Sequence, residues 1–586
     1  MSDIEAANST HFNNWPNERG FDANHEQRAP IELSVTGSIP YYAAGTLYRT
    51  GPGRYKVDTK HGNTFQVSHW FDGFSQTHRF QLVPPDDAGS PMRVFYNSRF
   101  STDDLIEHAR ETGSLGDKFS FGGFKDRVQD ELQDRDPCEA MYHKVQTTYE
   151  PRTNSPSYSN TGVTLSVNMP GLNDPPSQFS NGNDYTDTSR IKTLTAKTDN
   201  STYKQLHPST LEPLGIASQK TLHPDLDGPL SASHAKSDPE TGDIYNYNLS
   251  FSSFGIPTYR VFCVSAKTDE TTILATFTAA PAYLHSFFLT NDYVIICVWN
   301  SHLSPAAFNR KPASYVGALK EFDHKIPAVW YVVDRYGQGL VAVYESPAFF
   351  CFHTINAWQK TSKVDDSSTT QTDIIAECVT LENTDILYQL YYEYLVSSSS
   401  AAHRRSDALS NGHSGKAQSR IARFRLPAVP TPNEVEAKEE PKIAPPLNAT
   451  LLSTNCGGLS PELPTLNPSY ITRPHRYTYA VIDRGLSTFV DGLMKFDSVT
   501  SETKIWSEHA QSPSEAIFVA DPEGTNEDDG VLLSVVLDGK TGMSYLLVLD
   551  ARDLKEVGRA AVQGVVGFGF HGVHVFSETG VGGVDF

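Results

Sequence analysis

From Ile31 to the C-terminus the sequence is broken into short runs of β-branched and aromatic residues, each bounded by Gly, Pro, Asn or Asp. Runs such as RVFYNSRF (93–100), DIYNYNLSF (243–251), TYRVFCVSA (258–266), AVWYVVDRY (328–336) and SYLLVLDA (544–551) have the length and composition of strands. The tightest connections, DPETGD (238–243) and DGKTGM (538–543), put a glycine where a hairpin requires positive φ. Even the most apolar stretches, DYVIICVW (292–299) and GVLLSVVL (530–537), fall far short of the about 18 residues that cross a bilayer as a helix. A chain built this way is all-β. Four-stranded antiparallel units repeated about an axis would use all 586 residues in one closed body, residues 1–586 forming a single domain.

Helical signals are confined to insertions. In STDDLIEHARETG (101–113) Ser101 is the expected N-cap, with acids in the first turn, and FKDRVQDELQD (124–134) follows closely. Residues 101–135 are therefore expected to cap the β-body. Residues 397–445 are polar and rich in Ser and Pro, apart from the strand-like RIARFRL (420–426), and are expected to form a disordered insertion. GPGRY (51–55) reads as a tight turn between strands.

The formal charge of −21 argues against a nucleic-acid partner, because phosphate binding needs a dense basic face and none is present. Six cysteines are scattered without a CxxC pair, which suggests neither a thiolate zinc site nor a disulfide framework and fits an intracellular, cytoplasmic chain. The N-terminus lacks a basic segment followed by an apolar one, so no secretory signal is expected. There is no GxGxxG entering a helix and no GxxxxGK[ST], so no nucleotide cofactor is indicated.

Position singles out four of the 20 histidines. His234, His285, His353 and His571 lie in or beside apolar, strand-like segments, whereas His11, His25, His61, His403, His413 and His509 sit in polar surroundings. Spacings of 51, 68 and 218 residues are unlike the local clusters of zinc motifs, so such ligands must come from separate elements converging on a point. Four neutral imidazoles suit a borderline metal, Fe(II), Cu or Zn, and the pattern alone does not choose among them.

At these residues the sequence resembles the carotenoid cleavage dioxygenases, iron(II) enzymes related to the retinal-forming oxygenases and the retinoid isomerohydrolase. The resemblance runs from GTLYRTGPGRY (45–55) and HWFDGFSQTHRFQL (69–82), through the four histidine segments, to SPSEAIFVADP (512–522), NEDDGVLLSVVLDGK (526–540), YLLVLDARDLKEVGRA (545–560) and GFGFHG (567–572). It implies a seven-bladed β-propeller whose helical and loop cap covers an iron site and a substrate tunnel. It also implies that His234, His285, His353 and His571 hold Fe(2+). His234 is followed by Ala235 where the family commonly has Pro; His223-Pro224 lies nearby, but DPETGD after His234 is the family's continuation. His574 is the decoy at the other end, three residues from His571 and so on the opposite face of a strand. Glu515, Glu462 and, as a shorter third, Asp199 are implied as carboxylates behind the ligand imidazoles, where each would accept the ring's other N–H.

The implied chemistry is scission of one conjugated C=C of a carotenoid by O2 into two carbonyl products. The chain is most similar to fungal members that cleave torulene, giving β-apo-4′-carotenal in the neurosporaxanthin pathway. Retinal-forming cleavage of β-carotene, cleavage of a stilbene, O2-independent isomerohydrolysis and a non-catalytic binding propeller are the rivals. Phe287, Phe352, Trp358 and Phe570, adjacent to ligands, are the candidate tunnel walls. A bilayer-soluble substrate implies a peripheral membrane or lipid-droplet surface as partner, with no obligate protein partner. HLSPAAFNRKPASYVGALKEF (302–322) and FSFGGF (119–124) fit either an inserted apolar patch or a buried cap element.

Overall fold

The computed structural model describes residues 11–85, 90–115, 121–122, 155–172, 191–252, 255–304, 314–363, 370–402, 417–430, 446–455 and 458–576. Seven sheets, antiparallel except where Leu447–Asn448 adds in parallel to Leu340–Ser346, form the seven blades of a β-propeller. Their innermost strands are His571–Phe576 (blade I), Thr164–Val167 (II), Lys236–Ser237 (III), Phe288–Leu289 (IV), Phe350–Lys363 (V), Pro461–Thr465 (VI) and Gln511–Pro513 (VII).

Closure uses both ends of the described chain. His571–Phe576 pairs with Gly45–Arg54, so blade I is built from N-terminal strands around a C-terminal one. Ser34–Gly37 adds to the outer strand Glu556–Ala561 of blade VII. A closed ring of this kind leaves short, protected edges.

Blades pack face to face, so their strands are covered on both sides and read as continuous apolar runs rather than alternating ones. Tyr293–Val298 is buried at every position. Most seams have their own cluster. Leu47, Phe80 and Val94 meet Val531, Leu533 and Val548 between blades I and VII. Tyr479, Val481 and Leu493 meet Phe518, Leu532 and Leu547 between VI and VII. A wholly buried Leu such as Leu532 contributes about 1.5–3 kcal/mol relative to an exposed one.

The five quoted runs fall in the strands Arg93–Phe100, Ile244–Phe251, Pro257–Val264, Ala328–Asp334 and Met543–Asp550. Gly242 and Gly542 turn their hairpins at φ 76° and 65°. RIARFRL lies within Ser419–Val429, a strand of blade V; residues 403–416 and 431–445 of the expected insertion lie outside the described residues.

Two expectations are corrected, and one left open between two readings is decided for the described residues. Helix Asp103–Thr112 takes Thr102 as its N-cap, because Ser101 is drawn away: its hydroxyl meets that of Ser75 at 2.6 Å. The segment 124–134 lies outside the described residues. GPGRY is not a tight turn; Gly51–Arg54 complete the strand Gly45–Arg54, with a bulge between Pro52 and Arg54. A Cβ on Gly51 would lie 2.4 Å from the Phe570 amide nitrogen, so the glycine admits the backbone that leads into His571. Finally, Leu303, Tyr315, Val316 and Phe121 are buried and Leu319 is half-buried, so they form no exposed patch. Tyr315 packs against Phe121 and Tyr283, ring centroids 5.4 and 5.7 Å apart. Phe308, Arg310, Lys311, Phe119 and Phe124 lie outside the described residues.

Candidate metal centre

The four histidines arrive on inner strands or just before them. His571 opens the inner strand of blade I, His353 lies in that of blade V, His234 precedes that of blade III and His285 that of blade IV. Local hydrogen bonds fix these segments together: the His234 amide donates to the His285 carbonyl at 3.2 Å. The Ser286 hydroxyl donates to the Phe352 carbonyl and accepts the Thr354 amide, at 2.8 and 2.9 Å. One ligand atom from each of the four buried rings lies within 4.8 Å of all the others.

Carboxylates stand behind three of the rings. His571 Nδ1 is 2.7 Å from Glu515 Oε1, His353 Nδ1 is 2.6 Å from Glu462 Oε2, and His285 Nδ1 is 2.8 Å from Asp199 Oδ1. Each Nδ1 therefore carries the proton and donates, leaving the Nε2 lone pair facing inward. His571 Nε2 lies 3.0 Å from His234 Nε2 and 3.3 Å from His353 Nε2. With the proton of His571 and that of His353 committed to carboxylates, the latter contact is between two lone pairs, an arrangement favourable only around a cation. This donor set fits a borderline divalent metal such as iron.

Electrostatics agrees. Burial, followed by the neighbouring imidazoles, holds His234 well below the ordinary histidine value. Burial lowers His571 to about 4 against the opposing pull of Glu515. Both rings are thus neutral near pH 7, as ligation requires. Burial would raise Glu515, but His571, Arg49 and the Gly572 amide bring it below its usual value. Asp199 is lowered in the same way, with burial outweighed by His285, Ser233 and Tyr283, whose hydroxyl donates to Oδ2 at 2.9 Å.

The decoys are elsewhere. His574 is buried on the other face of its strand and its Nε2 donates to the Ala43 carbonyl at 3.2 Å. His223 lies in a turn, with Nδ1 accepting the Asp225 amide.

A cavity opens directly on the cluster, lined by His285, His353 and His571 together with Phe352 and Phe570. Phe287 and Trp358 are not on its wall. The segment carrying Phe287 lies outside the ladder, so two-residue alternation from His285 does not bring its ring to the cavity. Trp358 is six residues along the strand from Phe352, about 20 Å, where it packs edge-on to His475 at 5.6 Å. Sequence reasoning missed Trp70, Phe71 and Phe121 as wall residues, although Trp70 and Phe71 stand in HWFDG beside a resemblance motif. It also missed the short helices Asp385–Gln389 and Tyr392–Leu395, which contribute Ile386, Gln389 and Leu395 to the wall.

The family model described as "Retinal pigment epithelial membrane protein" matches residues 20–576. The chain is 38% identical to torulene dioxygenase of Gibberella fujikuroi over 577 residues, covering 96% of this chain and 94% of that protein. It is 37% identical to carotenoid dioxygenase of Neurospora crassa, covering 96% and 92%. Cobalt-substituted apocarotenoid oxygenase of Synechocystis shares the fold at a TM-score of 0.64 and 19% identity, covering 95% of this chain and 98% of that one. On the family match, these long alignments and the shared propeller, the chain belongs to the retinal pigment epithelial membrane protein family, the carotenoid oxygenases.

Proposed function

We propose that the protein is an iron(II) dioxygenase that cleaves one conjugated double bond of torulene, giving β-apo-4′-carotenal. The observation that carries this reading is the convergence of four imidazoles, three backed by carboxylates, on the wall of an aromatic cavity. Identity of 38% to a torulene dioxygenase along nearly the whole chain supports the choice of substrate.

His234, His285, His353 and His571 would hold the ion. Iron(II), when bound, supplies the electrons that allow ground-state O2 to react with an alkene. Glu515, Glu462 and Asp199 accept the Nδ1–H of their partner rings, which fixes tautomer and orientation and turns each Nε2 lone pair to the centre. Phe352, Phe570, Phe71 and Phe121 offer ring faces and edges along which a flat polyene is oriented. The same walls exclude water from the reacting bond. No residue needs to donate or remove a proton in the scission.

The polyene must leave a lipid phase to enter the cavity, so a peripheral encounter with a membrane or lipid droplet is part of the proposal. Among the described residues no helix is long and apolar enough to cross a membrane.

The test is incubation of Fe(II)-loaded protein with torulene or β-carotene under 18O2, followed by mass spectrometry. The expected result is two carbonyl products from torulene, each carrying one labelled oxygen. Retinal from β-carotene as the preferred product would replace torulene with the alternative substrate. Unlabelled products would overturn dioxygenase chemistry.

A further inference from the structure

Glu515 is gripped from three directions. Besides His571, its Oε2 accepts the Arg49 Nη1–H at 2.6 Å and the Gly572 amide at 2.8 Å. Arg49 is 3% exposed and lies within the strand Gly45–Arg54 of blade I, opposite Gly572 in the ladder. Glu515 follows the inner strand of blade VII, so the guanidinium spans the seam where the propeller closes.

Gly572 makes room for it. A Cβ there would lie 2.5 Å from Arg49 Cδ and 3.1 Å from Nη1. The residue next to His571 is a glycine because the arginine passes over it and the Tyr48 carbonyl lies 2.7 Å from where a Cβ would stand. The other two carboxylates lack such a partner. Asp199 accepts from Ser233 and Tyr283, and Glu462 Oε2 from the Leu463 amide, while the buried Glu462 Oε1 has no hydrogen-bond partner among the described residues. Among the described residues the ion pairs of Asp199 and Glu462 are with histidine alone. A buried guanidinium survives only when paired. Here Nη1 alone reaches the carboxylate, at Oε2, and with the Gly572 amide on the same oxygen it fixes that edge of Glu515. Arg49 Nη2 is buried with no hydrogen-bond partner among the described residues.

We propose that Arg49 is a positioning residue of the four-histidine centre, fixing the His571 ring through Glu515 and offsetting that carboxylate's charge. The inference rests on the metal-centre reading above.

The test titrates the metal-free full-length protein with Co2+, following visible absorption and affinity by chelator competition. Native protein should bind Co2+, and His353→Ala should abolish binding; failure here overturns the centre itself, and this inference with it. With the centre established, Arg49→Met should bind Co2+ about 10–100-fold more weakly with an altered d–d spectrum, the range usual for loss of an outer-shell partner. Arg49→Lys should recover part of the affinity. Gly572→Ala, which leaves every charge in place, should weaken binding in the same direction, its Cβ pressing on both Arg49 Cδ and the Tyr48 carbonyl. Adding Arg49→Met to Glu515→Gln should cost nothing further, since the arginine acts through the glutamate. Native affinity and spectrum in folded Arg49→Met, or additive losses in the double variant, would overturn the proposal. If Arg49→Met does not fold, native affinity and spectrum in Gly572→Ala overturn it instead.

Discussion

Glu462 Oε2 lies 2.6 Å from His353 Nδ1, joining inner strands of adjacent blades across 109 residues of sequence. The same oxygen accepts the Leu463 amide at 3.0 Å, so the carboxylate is fixed from its own backbone before it meets the ring. Glu462→Gln keeps the shape but replaces a charged acceptor by a weaker neutral one. Iron content and kcat/KM are expected to fall about 10–100-fold with the fold intact. Unchanged iron content after dialysis would refute a supporting role for Glu462.

His571 and His574 lie three residues apart and separate cleanly in consequence. His571→Ala should lose bound iron and activity together. His574→Leu should keep its iron, because the ring faces the Ala43 carbonyl rather than the axis. Stranding that carbonyl should cost about 1–3 kcal/mol in urea unfolding. Loss of iron in folded His574→Leu would show that the strand face is misassigned.

The strands were legible because blades sandwich them: runs such as DYVIICVW and GVLLSVVL have no polar face, and tight Gly turns separate them, whereas the number of blades came from the resemblance. The four candidate ligands were legible because a histidine in or beside such a run is chemically out of place; position singled them out, and the resemblance then implied their role. What sequence could not reveal was direction. Alternation along the strand Phe350–Lys363 is broken by irregularities between Cys351 and Asn356, so no count from His353 locates Trp358. Phe121 could equally have faced lipid or protein; only its packing against Phe71, at 4.7 Å between centroids, decides that it lines the cavity. Arg49 escaped notice because its partner Glu515 is 466 residues away.

Phe352 and Trp358 share a strand but not a surface. Phe352 stands edge-on to His285 at 5.9 Å and lines the cavity. Phe352→Ala opens space beside the ligands, so the polyene can sit at more than one depth, and a second pair of cleavage products should appear by mass spectrometry. Trp358→Ala should lower stability by about 3–5 kcal/mol while leaving the cleavage position native. A single native product from Phe352→Ala would remove this ring from the determinants of position.

Histidines buried in neutral form predict how the metal-free protein responds to acid. Burial lowers His69 to about 3, with Nε2–H donating to the Leu387 carbonyl at 2.9 Å and Nδ1 accepting the Phe71 amide at 3.1 Å. Burial likewise lowers His78 to about 3 and His574 to about 4. A depressed native pKa means that the unfolded chain takes up the proton first. The stabilising contribution is therefore complete above about pH 6.5, the unfolded value, and is lost as pH falls towards 3 or 4. Asp72, raised by burial to about 6, acts in the opposite sense, its contribution being lost as pH rises through 6. It is common to both proteins in a comparison with His69→Gln, and largely cancels. Between pH 6 and 4 the stability of the native protein should fall more steeply than that of His69→Gln, by about 1.4 kcal/mol per pH unit, one proton's worth. Urea midpoints measured across that range, with equal slopes for the two proteins, would show that His69 is already charged in the fold.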